Sequence, residues 1–363
     1  MARTRVLVTR RWPEEVERQL AERFDVAFNE SGVSLGDKAL AAAMGEYDVL
    51  CPTVSDRIDA AVIAGGDRVK LIANYGVGFE HIDIEAAKAR GIAVTNTPGV
   101  LTDATADIAL TLILMVARRA GEGEREVRAG QWTGWRPTHL LGSSLKGKTL
   151  GLVGFGRIAI ATARRAHHGF GMKIAYYGRR EALPDVAREL DAQFYPELHD
   201  LLAASDFVSL HTPGGAETAN LIDAPALAAM KPGSYLVNTA RGGVVDHAAL
   251  AQAVRSGHLA GAGLDVYPAE PAVPGELLGL DNVVLLPHLG SATRETRIAM
   301  GERALANIVA WVEGRPLPDR RAHAMRSIAS SKKKGCRPIT VRSSIVSGAP
   351  SARKSPSGSQ ASR

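Results

Sequence analysis

Lys148-Thr149-Leu150-Gly151-Leu152-Val153 is a short apolar run that breaks at once into Gly154-Phe155-Gly156-Arg157-Ile158-Ala159, and helical spacing follows through Ala161–His167. A buried strand that turns within a few residues into a helix fits few folds, chiefly a parallel sheet covered by helices. Gly154 permits the tight turn and Gly156 lets the backbone approach a pyrophosphate. Ala159 supplies the small residue required where helix meets strand. The amides of the first helical turn, including those of Arg157 and Ile158, and the positive end of the helix dipole suit phosphate oxygens. In this setting the glycines predict dinucleotide binding; the alternative is a plain βα turn with no ligand.

The rest of the chain agrees with an α/β class. Strands are expected at Arg5–Thr9, Val49–Cys51, Leu71–Asn74 and Ala93–Thr95, alternating with helices at Glu14–Arg23, Asp37–Met44, Asp59–Ala64 and Ile84–Arg90. Thr97-Pro98-Gly99 interrupts the series. A long helix then starts with Thr102 or Asp103 as its cap and has Arg118-Arg119 near its end. A second βα series runs from Lys148 to His288, and a last helix from about Thr293 to Val312. If that helix packs back on the first sheet, one domain is discontinuous: 1–99 plus 291–318, with 100–290 as the dinucleotide-binding domain.

Residues 319–363 are rich in Ser, Lys, Arg, Gly and Pro and read as a basic disordered tail. They hold eleven Lys or Arg and one acid, a charge of +10, so the whole-chain +6 leaves −4 for residues 1–318. A mildly acidic body argues against nucleic-acid binding by the folded part. The tail itself reads either as an extension without catalytic function or as a basic arm for nucleic acid or anionic membranes. The longest apolar stretch, Ile108–Ala117, is too short to span a bilayer. Val6-Leu7-Val8 followed by Thr9-Arg10-Arg11 reads as a first strand and not a signal peptide, which makes the cytoplasm the expected compartment. Cys51 and Cys336 are far apart, so neither a disulfide nor a metal site is expected.

The strand after the glycine turn, Lys173–Tyr177, ends in Gly178-Arg179-Arg180, where an acid would bind the ribose 2′-hydroxyl of NAD. Two guanidiniums suit a 2′-phosphate instead, so NADPH is the expected cofactor, with NADH possible if both arginines are merely solvated.

Three polar motifs follow apolar runs that read as buried strands, Tyr235–Val237, Gly263–Val266 and Val283–Leu286: Asn238-Thr239-Ala240-Arg241-Gly242-Gly243, Pro268-Ala269-Glu270-Pro271 and Pro287-His288-Leu289-Gly290-Ser291. Arg241, Glu270 and His288 at the ends of neighbouring strands form an anion binder, a base-orienting acid and a proton donor, a set suited to keto-acid reduction. Singly, each has a plainer role: a loop cation, a surface carboxylate, a histidine capping a strand end.

With Tyr75-Gly76-Val77-Gly78-Phe79-Glu80-His81-Ile82-Asp83 and Gly263-Leu264-Asp265-Val266, these motifs resemble the D-2-hydroxyacid dehydrogenases, most closely the glyoxylate/hydroxypyruvate reductases, over residues 5 to about 318. The resemblance implies two Rossmann-like domains, an active-site cleft between them, a homodimer and no metal. It implies that Val77 and Gly78 amides and Arg241 hold the substrate carboxylate, that His288 donates the proton, and that Glu270 orients the imidazole. Pro213, Thr218, Thr239, Ala240, Asp265 and Gly290 fall at cofactor-contacting positions, with Asp265 at the carboxamide. Trp135, in the aromatic connector Gly130–Ser144 with Trp132, is expected in a dimerisation arm and, more sharply, at the partner's substrate pocket. His81 reads as structural, and His167, His168 and His211 are given no chemistry. Other readings are a D-lactate or 3-phosphoglycerate type dehydrogenase and a non-catalytic nucleotide-sensing protein.

Overall fold

The computed structural model describes residues 3–321, and the remainder of the expected tail lies outside them. Twelve strands follow in chain order: β1 Arg5–Val8, β2 Asp25–Phe28, β3 Val49–Cys51, β4 Leu71–Ala73, β5 Ala93–Thr95, β6 Thr149–Val153, β7 Lys173–Tyr177, β8 Gln193–Tyr195, β9 Phe207–Leu210, β10 Ser234–Asn238, β11 Leu259–Leu264 and β12 Val283–Leu285. They form two parallel sheets, ordered β2-β1-β3-β4-β5 and β12-β11-β10-β9-β6-β7-β8. Strands buried on both faces explain the short unbroken apolar runs, as in β3, β4, β9 and β10.

Helix Thr102–Ala117 packs on the second sheet through Leu112, Ile113 and Val116. The last helix, Arg294–Val312, returns to the first sheet, burying Met300, Ala304 and Ile308 with Val6, Val8 and Leu71. A Cβ on Gly301 would lie 2.8 Å from Val16, so glycine is what lets helices Glu14–Arg23 and Arg294–Val312 cross closely. Full burial of a side chain such as Ile308 contributes about 1.5–3 kcal/mol.

Several expected boundaries move. Thr102 and Asp103 lie in the first turn of their helix, not at its cap; the cap position is Leu101, with no side-chain hydrogen bond. The strand expected at Gly263–Val266 runs Leu259–Leu264 instead. Its Ala-Gly-Ala-Gly core has little hydrophobic signal because its neighbours sit so close. A Cβ at Gly261 would meet the Asn282 carbonyl at 2.5 Å, and one at Gly263 would meet Leu112 at 3.0 Å. β2 and β8 escape the pattern as half-exposed edge strands. Asp319 is no part of a solvated tail. It is buried, receives Arg303 at 2.6 and 2.8 Å, and accepts from Asn307. Arg320 then bridges Thr95 at the edge of β5.

Because every pair in each sheet is parallel, the C-terminal ends of β6, β9, β10, β11 and β12 open on one side, where α/β sheets place ligands. Among the described residues no helix is long and apolar enough to cross a membrane.

Candidate active site

Asn238, the last residue of β10, is fully buried and shapes the turn that carries Arg241. Its Oδ1 accepts from the Ala240 amide at 2.9 Å, and its Nδ2 donates to the Arg241 carbonyl at 2.9 Å. The next residue, Gly242, lies against the turn that leads to Glu270; a Cβ there would sit 1.9 Å from the Tyr267 carbonyl carbon. Only glycine brings these two turns together.

His288 Nδ1 lies 2.7 Å from Glu270 Oε2, and the other carboxylate oxygen accepts from the Tyr267 amide at 3.0 Å. The Tyr267 hydroxyl donates to the Leu286 carbonyl at 2.9 Å, tying the Glu270 turn to the end of β12. His288 has a left-handed φ of 56°, uncommon away from glycine. Asp265 holds that conformation: its two oxygens accept from the Leu289 and Gly290 amides at 2.6 and 2.8 Å. Burial is the main influence raising the Asp265 pKa, against the opposing amides and the His288 charge. Burial also pushes at Glu270, but the hydrogen bond and charge of His288, the Tyr267 amide and Arg241 outweigh it and keep its pKa below the ordinary value.

The Gly-rich turn after β4 faces Arg241. Asn74 donates to the carbonyls of Gly76 and Gly78, and Asn96 to that of Val77. No partner is seen among the described residues for the Val77 and Gly78 amides, as suits an anion cradle. His81 Nε2 is 3.0 Å from Asn74 Oδ1, and burial lowers its pKa to about 4, in keeping with a structural role. Glu80, absent from the expected site, accepts from Arg241 Nη2 at 3.3 Å and from the Gly214 amide at 3.2 Å. Burial would raise the Glu80 pKa; the Arg241 charge and the amides lower it overall.

On the cofactor side, Gly154 has φ 89°, and a Cβ there would meet the His211 carbonyl at 2.8 Å. Gly156 precedes helix Arg157–Arg164 and faces open space, with nothing within 4 Å of its Cβ position. The Thr212 and Thr239 hydroxyls, just past β9 and β10, are buried with no partner among the described residues, as are Asn96 Oδ1 and Thr97 Oγ1 past β5. Unpartnered polar atoms and a glycine-lined helix start fit a nicotinamide dinucleotide. Ala240 is buried beside Thr239. Thr218 instead turns its hydroxyl onto the Pro213 carbonyl at 2.7 Å, within its own loop. Gly178 follows β7, with Arg179 and Arg180 exposed beside it. His211 is half-buried with its Nε2 2.9 Å from the Ser209 hydroxyl, and desolvation of the ring lowers its pKa to about 4. Trp135 stands 83% exposed on the connector, outside these contacts within the chain. Among the described residues no cluster of His, Cys, Asp or Glu is arranged to hold a metal.

The depressed pKa values of Glu80 and Glu270 give a pH prediction. Both bind protons more weakly when folded, so their stabilisation is present above the unfolded value near 4.5 and is lost as pH falls through the lower folded values. Urea titrations from pH 6 to pH 3 should show a shallower acid loss of stability for the E80Q/E270Q variant. Superimposable acid limbs would contradict the assignment.

Comparison with known proteins places this geometry in context. Residues 110–290 match the model of the D-isomer specific 2-hydroxyacid dehydrogenase, NAD binding domain. A glyoxylate reductase of Thermococcus litoralis is 46% identical over 319 residues, 87% of this chain and 96% of that one. A structure from Thermus thermophilus superposes with TM-score 0.81 at 48% identity, covering 88% of this chain and all of that one. The NADPH-dependent glyoxylate/hydroxypyruvate reductase of Sinorhizobium meliloti, solved with NADP and malonate, gives TM-score 0.79 at 36% identity, over 88% of this chain and 97% of that one.

Proposed function

The chain belongs to the D-isomer specific 2-hydroxyacid dehydrogenases, an oxidoreductase family, and from that premise we propose that it reduces glyoxylate or hydroxypyruvate to the D-2-hydroxy acid with NADPH. The observation that carries this reading is the His288–Glu270 pair, His288 just past β12 and Glu270 after β11, with Arg241 after β10 near enough for its charge to lower the Glu270 pKa. The division into a substrate domain, 1–99 with 291–318, and a cofactor domain, 100–290, belongs to the same proposal. It is supported by the return of helix Arg294–Val312 to the first sheet.

The Val77 and Gly78 amides and the Arg241 guanidinium bind the substrate carboxylate, and Arg241 also polarises the keto oxygen. When bound, the nicotinamide supplies a hydride to C2. Glu270 accepts from His288 Nδ1 and stabilises the imidazolium, which leaves Nε2 to donate its proton to the developing alkoxide. Asp265 keeps the His288 turn in place and, with Thr239, lies where a nicotinamide would be held. The first turn of helix Arg157–Arg164 receives the pyrophosphate.

Following NADPH oxidation with glyoxylate, hydroxypyruvate, pyruvate and 3-phosphohydroxypyruvate tests this reading. Glyoxylate and hydroxypyruvate are expected to have the highest kcat/KM; a preference for the phosphorylated acid, or no turnover at all, would overturn it.

The preference for NADPH rests on Arg179 and Arg180 at the end of β7. The double variant R179A/R180A should lose about 10–100-fold in kcat/KM for NADPH and little for NADH, since each charge-assisted bond contributes roughly 1.5–3 kcal/mol. Equal losses for both cofactors would remove the arginines from this role. A homodimer is part of the proposal, supported by the exposed apolar side chains Val127, Trp132, Trp135 and Leu141 on and beside the connector. Sedimentation at the single-chain mass of 38.4 kDa would count against it.

A further inference from the structure

We propose that Glu80 is a positioning residue for Arg241, fixing which edge of the guanidinium faces the substrate carboxylate. Glu80 Oε2 accepts from Arg241 Nε at 3.4 Å and from Nη2 at 3.3 Å, while Nη1 donates to the Ala240 carbonyl at 2.7 Å. A guanidinium has five N–H donors. These contacts engage one on each nitrogen, leaving one on Nη1 and one on Nη2 to reach the carboxylate and the keto oxygen of the substrate. Two glycines flank the partly exposed pair. A Cβ on Gly78 would lie 1.4 Å from Arg241 Nη2 and 2.7 Å from Glu80 Oε2; one on Gly214 would lie 2.9 Å from Arg241 Cγ. The Gly214 amide holds the second carboxylate oxygen at 3.2 Å. Glu80 therefore ties the Gly-rich turn after β4 to two turns of the second sheet, those of Gly214 and Arg241.

An arginine pinned along one edge by a carboxylate, at a wall of two glycines, has few rotamers left, and its orientation is set before substrate arrives. Without Glu80 the long side chain would sample many orientations, and the two-point grip on the substrate would be lost first. Glu80 is placed to act through Arg241 and does not itself take part in proton or hydride transfer.

This inference rests on the 2-oxo acid reading of the site. Its test uses full-length enzyme saturated with NADPH and the unreactive keto-acid analogue oxamate. In E80A the oxamate Kd and the glyoxylate KM should rise at least about tenfold, and kcat/KM should fall on the order of 10²-fold, the usual cost of misplacing a positioning group. NADPH affinity should stay near wild type, Tm should fall only by the small contribution of a partly exposed ion pair, and E80D should recover part of the loss. G78A, which displaces the same guanidinium while keeping Glu80, should show the same substrate-selective signature. Oxamate affinity and KM within twofold of wild type in E80A, or an equal loss of NADPH affinity, would overturn the proposal. Wild-type enzyme that binds oxamate but reduces no 2-oxo acid would instead sink the reading of the reaction, while the E80A oxamate affinity would still decide the role of Glu80.

Discussion

Replacing His288 by alanine is expected to lower kcat by about 10³-fold while NADPH affinity stays within a few-fold of wild type, the range for losing a positioned general acid. Such a loss corresponds to about 4 kcal/mol of transition-state stabilisation. The imidazole is oriented by Glu270, which meets ring Nδ1 at 2.7 Å, and its turn is held by the two Asp265-bound amides next along the chain. Because the Asp265 contacts hold the turn through its backbone, alanine removes the proposed proton donor without releasing the turn. E270Q keeps a hydrogen-bonding partner but loses the charge that favours imidazolium, so a smaller fall, about 10–10²-fold in kcat, is expected. Steady-state kinetics with saturating NADPH measure both effects. Near-normal turnover in H288A would remove His288 from the mechanism.

Loss of Arg241 should be at least as severe in kcat/KM, because in the proposed mechanism one side chain serves both the carboxylate and the carbonyl. R241A is expected to lower kcat/KM for glyoxylate by about 10³–10⁴-fold, combining a lost transition-state donor with a lost charge-assisted fork. R241K should recover little, since an ammonium cannot span two oxygens or accept the Glu80 edge constraint. The split between parameters is informative: both KM and kcat should deteriorate. A change in KM alone would mean that Arg241 only binds the carboxylate, and the polarising role would be withdrawn.

How much the chain discloses about itself depends on the range of the interactions. The Gly154 turn is legible because its requirements are local: a positive φ and the close His211 carbonyl act on one residue. Helix Glu14–Arg23 is legible for the same reason, with acidic residues in its first turn and an arginine in its last. β11 is displaced in the sequence reading because its glycines answer to Asn282 and Leu112, residues distant in sequence and invisible to local hydrophobicity. Glu80 is the sharper case. It lies inside a motif recognised from its neighbours, yet its partner Arg241 is 161 residues away, and nothing in either segment signals the pairing. Asp265 is legible as a polar residue ending an apolar run, but its two bonds to the His288 turn emerge only once β11 and β12 lie side by side. Asp319 reads as the start of a low-complexity tail because it adjoins the basic segment on its C-terminal side, while its burial depends on Arg303 and Asn307 in the preceding helix.

The central claim, that this crevice carries a hydride to one face of a 2-oxo acid and a proton from His288 to its oxygen, is tested most directly by isotope transfer. Hydroxypyruvate reduced with NADPH carrying deuterium at the transferable C4 position should give D-glycerate with one deuterium at C2, and H288A should give the same labelled product far more slowly. Unlabelled, racemic or L-configured glycerate would contradict the account.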